Sequence, residues 1–214
     1  MRRAIKDTQK EERRQAILDV AWELFQQQRY EAINILDIAQ GAGLAKGTIY
    51  LYFKTKEELF FAIQEQQFEY WFDQVDAGLS ALNVPAAPEA IVELIVAPLT
   101  LRPALPRLFA IVHAVLEQNV DLAAIVRFKR MLYERVARTS ALVERCVPDL
   151  PAGEGARFVM RVEAVMVGMQ QLAAPLLNAE QIKEHAPELQ PFAIDFASEL
   201  SATLTALLDG MRRS

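Results

Sequence analysis

The chain has 214 residues, enough for a small domain and a larger one that fold without disulfides or metals. Apolar residues make up 52% of the chain, and glycine and proline are sparse, which favours an all-α protein. No stretch approaches the 18 uncharged apolar residues that a membrane-spanning helix needs. The net charge of −5 argues against indiscriminate nucleic-acid binding, and the charged N-terminus has no apolar run behind it, so we expect a cytoplasmic protein with no membrane partner.

The charge is unevenly distributed along the chain. Residues 1–56 carry a net charge of +3, and the remaining 158 residues carry −8. Any contact with nucleic acid is therefore expected in the N-terminal quarter. Cys146 is the only cysteine, so no intramolecular disulfide can form. We expect it to act as a small hydrophobic side chain near a helix end, with a redox sensor as the alternative.

Four helices are predicted in the N-terminal part of the chain, at about 8–28, 35–41, 46–51 and 56–82. The first is expected to begin at a capping box formed by Thr8 and Glu11, and the fourth at one formed by Thr55 and Glu58. Asn34 is expected to cap the second helix. Breaks rich in proline separate five further predicted helices, at about 88–100, 104–118, 121–146, 154–177 and 189–211.

Residues 33–59, INILDIAQGAGLAKGTIYLYFKTKEEL, contain two short predicted helices joined by a glycine-containing turn. This arrangement matches the helix-turn-helix pattern. Its small internal core is predicted to consist of Ile38, Ala39, Leu44 and Ile49. The second helix would expose Lys46, Thr48, Leu51 and Tyr52. Such a helix can enter the major groove of DNA.

The same stretch closely resembles the DNA-binding domain of TetR-family repressors. The matching segments are Asp37-Ile38-Ala39, Ala42-Gly43-Leu44, Lys46-Gly47-Thr48-Ile49-Tyr50, Tyr52-Phe53 and Lys56-Glu57-Glu58-Leu59. The resemblance covers roughly residues 10–60. It implies an all-α fold of about nine helices, with a helix-turn-helix domain at 1–56 and a helical ligand-binding and dimerisation domain at 57–214.

The resemblance also assigns roles at the DNA. Lys46 resembles residues that read base edges, Gly47 would let the backbone approach the groove, and Thr48 would touch a base or a phosphate. The phosphate-contacting positions would be Asn34, Tyr50, Tyr52 and Lys56. Leu51 completes the exposed face. Ile49 and Phe53 are expected to be core residues, and for Tyr50 packing and phosphate binding are equally open.

Three residues depart from the family pattern. Arg29 stands where the family usually has glycine after the first helix, so we expect a left-handed backbone there at a cost of about 1 kcal/mol. Asn34 replaces the usual threonine and preserves the cap. Ala45 replaces a serine or threonine before the recognition helix, which removes a cap worth about 1 kcal/mol.

No catalytic or metal-binding pattern is present in the sequence. The glycines of GAGLAKG are one residue too far apart for a dinucleotide fingerprint, and no strand precedes them. His113 and His185 have no partners at metal-ligand spacing. We therefore expect no enzymatic activity and no cofactor. His113, with Glu117 one turn on, is either an ordinary hydrogen-bonded pair or a polar anchor in a ligand pocket.

The C-terminal part is expected to form a dimer and to bind a ligand. Two long apolar helices suggest a four-helix bundle between two copies, with contacts at Met166, Gly168, Met169, Leu204 and Leu208; ordinary core helices are the alternative. An apolar ligand is expected against soft and aromatic side chains, with His113 or Gln170 as the orienting polar group; core filling is the alternative. The side chains expected to line this ligand site are Phe68, Trp71, Phe72, Phe109, Phe128 and Met131.

Together these features predict a dimeric transcriptional repressor that binds palindromic double-stranded DNA. A mostly apolar small-molecule inducer would release the repressor from this DNA. One alternative is a helical ligand-binding protein or enzyme with a vestigial DNA-binding motif. Another is an interaction protein that does not bind DNA.

Overall fold

The computed structural model describes residues 2–111, 119–173, 184–186 and 194–213, with side chains from Thr8 onwards. Within these ranges the chain forms nine α-helices and one short 3-10 helix, and no strand. The all-α prediction is therefore confirmed. The helices are α1 (Arg2–Gln27), α2 (Ile35–Gly41), α3 (Lys46–Ile49), α4 (Lys56–Ala81), α5 (Pro88–Leu101), α6 (Ala104–Ile111), α7 (Leu122–Cys146), α8 (Glu154–Ala173) and α9 (Phe196–Arg212).

Two predicted helix starts are wrong. α1 begins at Arg2, so Thr8 lies inside the helix, because the preceding residues contain no glycine or proline that would end it. α9 begins at Phe196 rather than near residue 189, because the Asp195 side chain accepts a hydrogen bond from the Ser198 amide at 2.8 Å and caps the helix there. The predicted ends at 118 and 177 lie outside the described residues.

The chain divides into two compact units. One comprises Met1–Phe68 and Ile111–Lys129, and the other comprises Glu69–Ala110 and Arg130–Ser214. Helices α4 and α7 each contribute residues to both units. The predicted domain boundary after residue 56 stays a prediction.

Aromatic contacts fill the core of the first unit. Phe60 of α4 packs edge-on against Tyr30, with the ring centroids 5.0 Å apart. Phe61 packs in the same way against Phe128 of α7, at 5.1 Å. Such edge-to-face pairs add to the free energy gained by burying the rings. The core therefore ties the start of α4 to the short 3-10 helix Tyr30–Ala32.

The second unit combines apolar packing with two buried polar links. The indole nitrogen of Trp71 donates a hydrogen bond to the carbonyl of Ile95 at 3.1 Å. The buried carboxylate of Asp76 accepts one from the Thr139 hydroxyl at 2.6 Å and lies 3.0 Å from the Arg138 guanidinium. Buried polar groups need such partners, so these links fix α4 against α5 and α7.

Cys146 is the last residue of α7 and is fully buried. Its sulfur lies 3.5 Å from the carbonyl oxygen of Leu79. This placement fits the expected small hydrophobic side chain near a helix end.

No single helix in the described ranges is long and apolar enough to span a membrane. Only α5 and α6 taken together reach the required length and composition, and they are bent by 93° relative to each other.

Candidate nucleic-acid interface

Asn34 caps the first helix of the motif. Its side-chain oxygen accepts hydrogen bonds from the amides of Leu36 and Asp37, at 2.9 and 3.1 Å. Its side-chain nitrogen donates to the Asp37 carboxylate. The predicted cap is therefore confirmed, and it satisfies two amides that the helix itself leaves without partners.

The turn after α2 depends on a glycine. Gly43 has φ +65°, a conformation that side chains disfavour, and it allows the Leu44 amide to bond to the Ala39 carbonyl at 2.8 Å. At the end of α2, a Cβ on Gly41 would lie 2.6 Å from Val20 of α1. The two glycines thus set the turn and the close packing of α2 on α1.

α3 is a single helical turn, extended by further backbone hydrogen bonds. The Ala45 side chain provides no cap, as expected. The amides of Tyr52 and Phe53 both bond to the Ile49 carbonyl, at 2.9 and 3.0 Å. Ile49 and Phe53 are buried, which confirms them as core residues. They anchor the recognition helix to the rest of the first unit.

The opposite face of this segment is open to solvent. Leu51 is 78% exposed and Tyr50 is 45% exposed. Lys46 is exposed and makes no hydrogen bond or ion pair with the described residues. A Cβ on Gly47 would meet nothing within 4 Å, so packing inside the chain does not require glycine there. Thr48 and Tyr52, which were expected on the exposed face, are half-buried. The segment therefore presents a lysine, the Tyr50 hydroxyl and bare backbone to solvent.

α4 begins at a capping arrangement close to the predicted one. The Thr55 hydroxyl accepts a hydrogen bond from the Glu58 amide at 3.0 Å. The Glu58 carboxylate in turn accepts one from the Lys54 amide at 2.6 Å, one residue before the expected position.

Lys56 makes contacts that the sequence did not predict. Its ammonium group donates a hydrogen bond to the Tyr30 carbonyl and lies 4.0 Å from the centre of the Tyr30 ring. The Tyr30 hydroxyl donates to the Glu57 carboxylate at 3.1 Å. Burial raises the pKa of the Tyr30 hydroxyl, and Glu57 raises it further. Burial also lowers the pKa of Lys56.

Arg29 does not carry the expected strain. Its backbone is extended, with φ −76° and ψ 150°, and no non-glycine residue in the described ranges has a positive φ. The predicted cost of about 1 kcal/mol is therefore wrong. The chain leaves α1 through extended backbone and enters the 3-10 helix directly, so a left-handed residue is not needed.

The contact between Arg14 and Phe53 is another that the sequence did not predict. The guanidinium carbon of Arg14 lies 5.3 Å from the centre of the Phe53 ring. Phe53 directly follows the exposed segment, so this contact places the middle of α1 beside the end of the recognition segment. Arg14 lies well before the motif in the sequence, so the spacing of residues in the motif does not indicate that this cation is close to it in the fold.

The predicted ligand residues are mostly core residues. Phe68 packs against Phe128 in the first unit, with centroids 5.6 Å apart, and Trp71 packs against Phe72 in the second, at 4.8 Å. Phe109 is buried, while Met131 and Gln170 are half-buried. His113 lies outside the described residues. Their role in ligand binding stays a prediction.

An open groove in the second unit is lined by none of these residues. It has a volume of about 790 Å³ and lies between α5 and α9. Val92, Val96, Ala97 and Leu101 contribute apolar wall from α5, and the hydroxyls of α9 face them. Its size is within the range of small-molecule sites.

The predicted dimer residues divide into two groups. Met166, Leu204 and Leu208 are buried within the chain, where α8 packs against α9. Gly168 and Met169 are half-buried, and a Cβ on Gly168 would meet nothing within 4 Å. The exposed surface of these helices includes Met160, Leu172, Ala202, Ala206 and Gly210.

In the part of the chain that the structure describes, no group of three His, Cys, Asp or Glu residues is arranged to hold a metal ion. The exposed part of the motif carries Lys46 and the Tyr50 hydroxyl, and such groups suit base edges and phosphates.

A helix-turn-helix with this geometry defines a transcriptional regulator. Two family models match the chain: bacterial regulatory proteins of the tetR family at residues 17–63, and the tetracyclin repressor-like C-terminal domain at residues 65–214. The chain belongs to the TetR family, which confirms the resemblance seen in the sequence.

Individual relatives resemble the chain over different extents. The HTH-type transcriptional regulator AcrR of Shigella flexneri is 47% identical over 55 residues, 26% of this chain and 26% of that protein. The curated relatives are thus matched over only about a quarter to a third of their length. A TetR/AcrR-family regulator from Thermobifida fusca YX-ER1 is 21% identical with a TM-score of 0.57, covering 91% of this chain and 97% of that one. FadR from Bacillus subtilis, crystallised with stearoyl-CoA, is 19% identical with a TM-score of 0.52, covering 91% and 96%. These structures support the fold.

Proposed function

We propose that this protein is a dimeric repressor that binds a palindromic site on double-stranded DNA and is released by a mostly apolar small molecule. The observation that carries the proposal is the one-turn helix α3. It is anchored by buried Ile49 and Phe53, and it exposes Lys46, Tyr50 and Leu51 on its other side. Buried anchors hold the exposed side chains in a fixed orientation, which base readout requires.

Each residue of the recognition segment, whether exposed or half-buried, has a proposed part in binding. Lys46, which has no partner among the described residues, donates to guanine O6 or N7. Gly47 lets the backbone approach a phosphate or base edge, and Thr48 contacts a base or a phosphate. Tyr50 and Tyr52 donate their hydroxyls to phosphates.

Asn34 and Lys56 are proposed to hold the phosphates at the edges of the motif. The Asn34 side chain lies at the N-terminus of α2, where the helix dipole favours an anion. An ammonium group has three donors, and the Tyr30 carbonyl uses one of those on Lys56. The other donors remain for a phosphate. Lys56 therefore both positions the start of α4 and binds DNA in this proposal.

Dimerisation through α8 and α9 would supply the second recognition helix of a palindrome. Gly168 allows close approach of a partner helix, because no atom of the described residues lies within 4 Å of where its Cβ would be. Ala206 and Gly210 are exposed small residues on α9, and α8 exposes Met160 and Leu172. Met166, Met169, Leu204 and Leu208 would support this surface from beneath or at its edge.

The effector is proposed to occupy the groove between α5 and α9. The groove is mostly apolar, with a few hydroxyls and the two carboxylates of Glu89 and Glu93, and an apolar wall with few polar groups is the usual character of a small-molecule site. The neighbouring FadR structure holds stearoyl-CoA, a ligand with a long apolar chain. Helix α4 starts at the DNA-binding motif and continues into the second unit, so a ligand that shifts α4 changes the position of the motif. About 2–3 kcal/mol of differential binding would lower DNA affinity roughly 30–150-fold.

A gel-shift titration tests the DNA-binding part. The probe is the DNA upstream of the gene for this chain, and the control is a shuffled duplex of the same length and composition. We expect tighter binding to the upstream DNA at moderate salt, and footprinting should locate two half-sites. Equal affinity for both duplexes would favour a ligand-binding protein or enzyme with a vestigial motif.

A further inference from the structure

The N-terminal end of α1 extends beyond the packed core of the first unit. α1 has 26 residues, but its buried side chains begin at Ile17. Every described residue from Thr8 to Arg13 is exposed. A helical end without packing gains little stability from the chain itself. The exposed stretch is therefore a candidate for contact with a partner.

The cations of this stretch lie on the side of α1 that faces the motif. Arg13 is one turn before buried Ile17, and Lys10 is one turn before Arg14, whose guanidinium lies 5.3 Å from the centre of the Phe53 ring. Helical side chains also lean towards the N-terminus, so Lys10 extends the row of Arg14 beyond Phe53, and Arg13 lies beside that row, in line with Ile17. In the sequence, Lys6 and Arg3 precede Lys10 by four and seven residues.

These two cations have no partners among the described residues. Arg14 pairs with Glu11 at 3.5 Å, whereas Lys10 and Arg13 make no ion pair or hydrogen bond with the described residues. Apolar side chains are absent from residues 8–13, so the surface does not suit the interior of a lipid layer. Exposed unpaired cations without apolar neighbours suit a polyanion.

We propose that Lys10 and Arg13 form a second DNA-contacting element that binds the phosphate backbone beside the recognition helix. The proposal rests on the proposed DNA-binding function. Phe53 directly follows Tyr52, one of the proposed phosphate contacts, so the cations of α1 lie next to a backbone already engaged by the motif. The contact is to phosphates and not to bases, and it therefore adds affinity without changing sequence preference.

The test compares four proteins by fluorescence anisotropy on two duplexes, the upstream DNA and a shuffled control, across a salt series. The proteins are the wild type, Lys10→Gln/Arg13→Gln, the charge-preserving Lys10→Arg/Arg13→Lys, and Arg130→Gln/Arg213→Gln. The last pair removes the same charge from exposed positions in the second unit. Circular dichroism checks that helix content is unchanged.

We expect Lys10→Gln/Arg13→Gln to bind both duplexes more weakly and to lower the slope of log K against log salt by about 1.8 for each bound chain. The charge-preserving variant and the distant variant should keep the wild-type slope. The ratio of affinities for the two duplexes should not change.

Four outcomes would overturn the inference. If the Lys10→Gln/Arg13→Gln variant keeps the wild-type slope of log K against log salt, the two cations contact only solvent. The proposed function would still stand in that case, provided that the wild type prefers the upstream DNA. A lost preference for one duplex would indicate base contacts instead. If the variant loses binding only to phosphatidylserine vesicles, the partner is a membrane. A wild type that binds neither duplex at low salt would reject the proposed function and the inference together.

Discussion

The ammonium group of Lys56 lies 4.0 Å from the centre of the Tyr30 ring and donates a hydrogen bond to the Tyr30 carbonyl. Through this pair, the first residue of α4 holds the connection between α1 and α2. The Tyr30 hydroxyl strengthens the link by donating to Glu57 at 3.1 Å. The position of the helix-turn-helix relative to the start of α4 therefore depends on a cation that the family pattern assigns to a phosphate.

Replacing Lys56 should affect both stability and DNA binding. Lys56→Ala should lower the free energy of unfolding by about 1 kcal/mol, because it removes a hydrogen bond and a cation–π contact. It should also weaken binding to all duplexes and reduce the salt slope by about 1. Urea unfolding and salt titration measure the two effects. Lys54→Ala, which removes a neighbouring exposed lysine, serves as the stability control. A salt slope equal to that of the wild type would show that Lys56 is structural only.

Tyr30 predicts a stability change at alkaline pH. Its pKa is raised in the folded protein, mainly by burial and then by Glu57, so the folded chain keeps a proton that the unfolded chain loses above pH of about 10. This contribution is fully present below that pH and is lost as the pH rises through the raised pKa. Lys56 acts in the opposite direction, because burial lowers its pKa and the unfolded chain then binds more protons between the lowered and ordinary values.

Tyr30→Phe isolates the tyrosine contribution. Between about pH 9 and 11 the wild type should lose roughly 1 kcal/mol more stability than Tyr30→Phe, since the variant has no hydroxyl to titrate. Chemical unfolding at each pH measures the difference. Parallel pH profiles for the two proteins would contradict the coupling between Tyr30 and its buried surroundings.

Lys46 is predicted to read a base. Lys46→Ala should cost about 1–3 kcal/mol of operator binding and relax the preference at one base pair of each half-site. The measurement is affinity for a set of duplexes with each half-site position varied. Unchanged preferences with weaker binding would place Lys46 at a phosphate. Thr48→Val is a useful companion, because it removes the hydroxyl of a half-buried residue of the same helix without changing the charge.

The sequence predicted the parts of the structure that local chemistry determines. Asn34 and Thr55 are capping residues because their side chains reach amides two or three residues away, and such spacing is visible in the sequence. The pairing of Lys56 with Tyr30 and of Arg14 with Phe53 could not be predicted, because each joins residues far apart in the chain. Arg29 shows the converse error. The family prefers glycine at this position but does not require it, because this chain leaves α1 in an extended conformation.

The dimer prediction is tested at Gly168. Gly168→Glu places a charge where the chain leaves open space, so it should not disturb the fold of one copy. If α8 faces a second copy, sedimentation should show monomers, and operator affinity should fall strongly because only one recognition helix binds at a time. The control should add a glutamate at an exposed position outside both the proposed dimer surface and the DNA-binding motif. Arg130→Glu on α7 meets this requirement, whereas Gly47→Glu would itself disturb DNA binding. A Gly168→Glu variant that remains dimeric would exclude this position from the interface.

The effector prediction is tested by two substitutions that probe two locations. Ala97→Trp adds an indole at an exposed position in the groove between α5 and α9. Trp71→Phe probes the aromatic set predicted from the sequence. It is preferred to Trp71→Ala because Trp71 is only 4% exposed, and truncating a buried tryptophan costs about 3–5 kcal/mol. Trp71→Phe loses the hydrogen bond to Ile95 but keeps a ring in the core.

Both variants should bind the operator as the wild type does when no effector is present. Long-chain acyl-CoA is the probe, titrated against the preformed complex with DNA. If the effector occupies the groove, Ala97→Trp should require at least about tenfold more acyl-CoA to release DNA, since filling the site costs more than 1.4 kcal/mol of binding. Trp71→Phe should then respond normally. The reverse pattern would place the effector among the aromatic residues of α4. If neither variant differs from a wild type that does respond, both locations are wrong, and a wild type that never releases DNA would reject acyl-CoA as the effector.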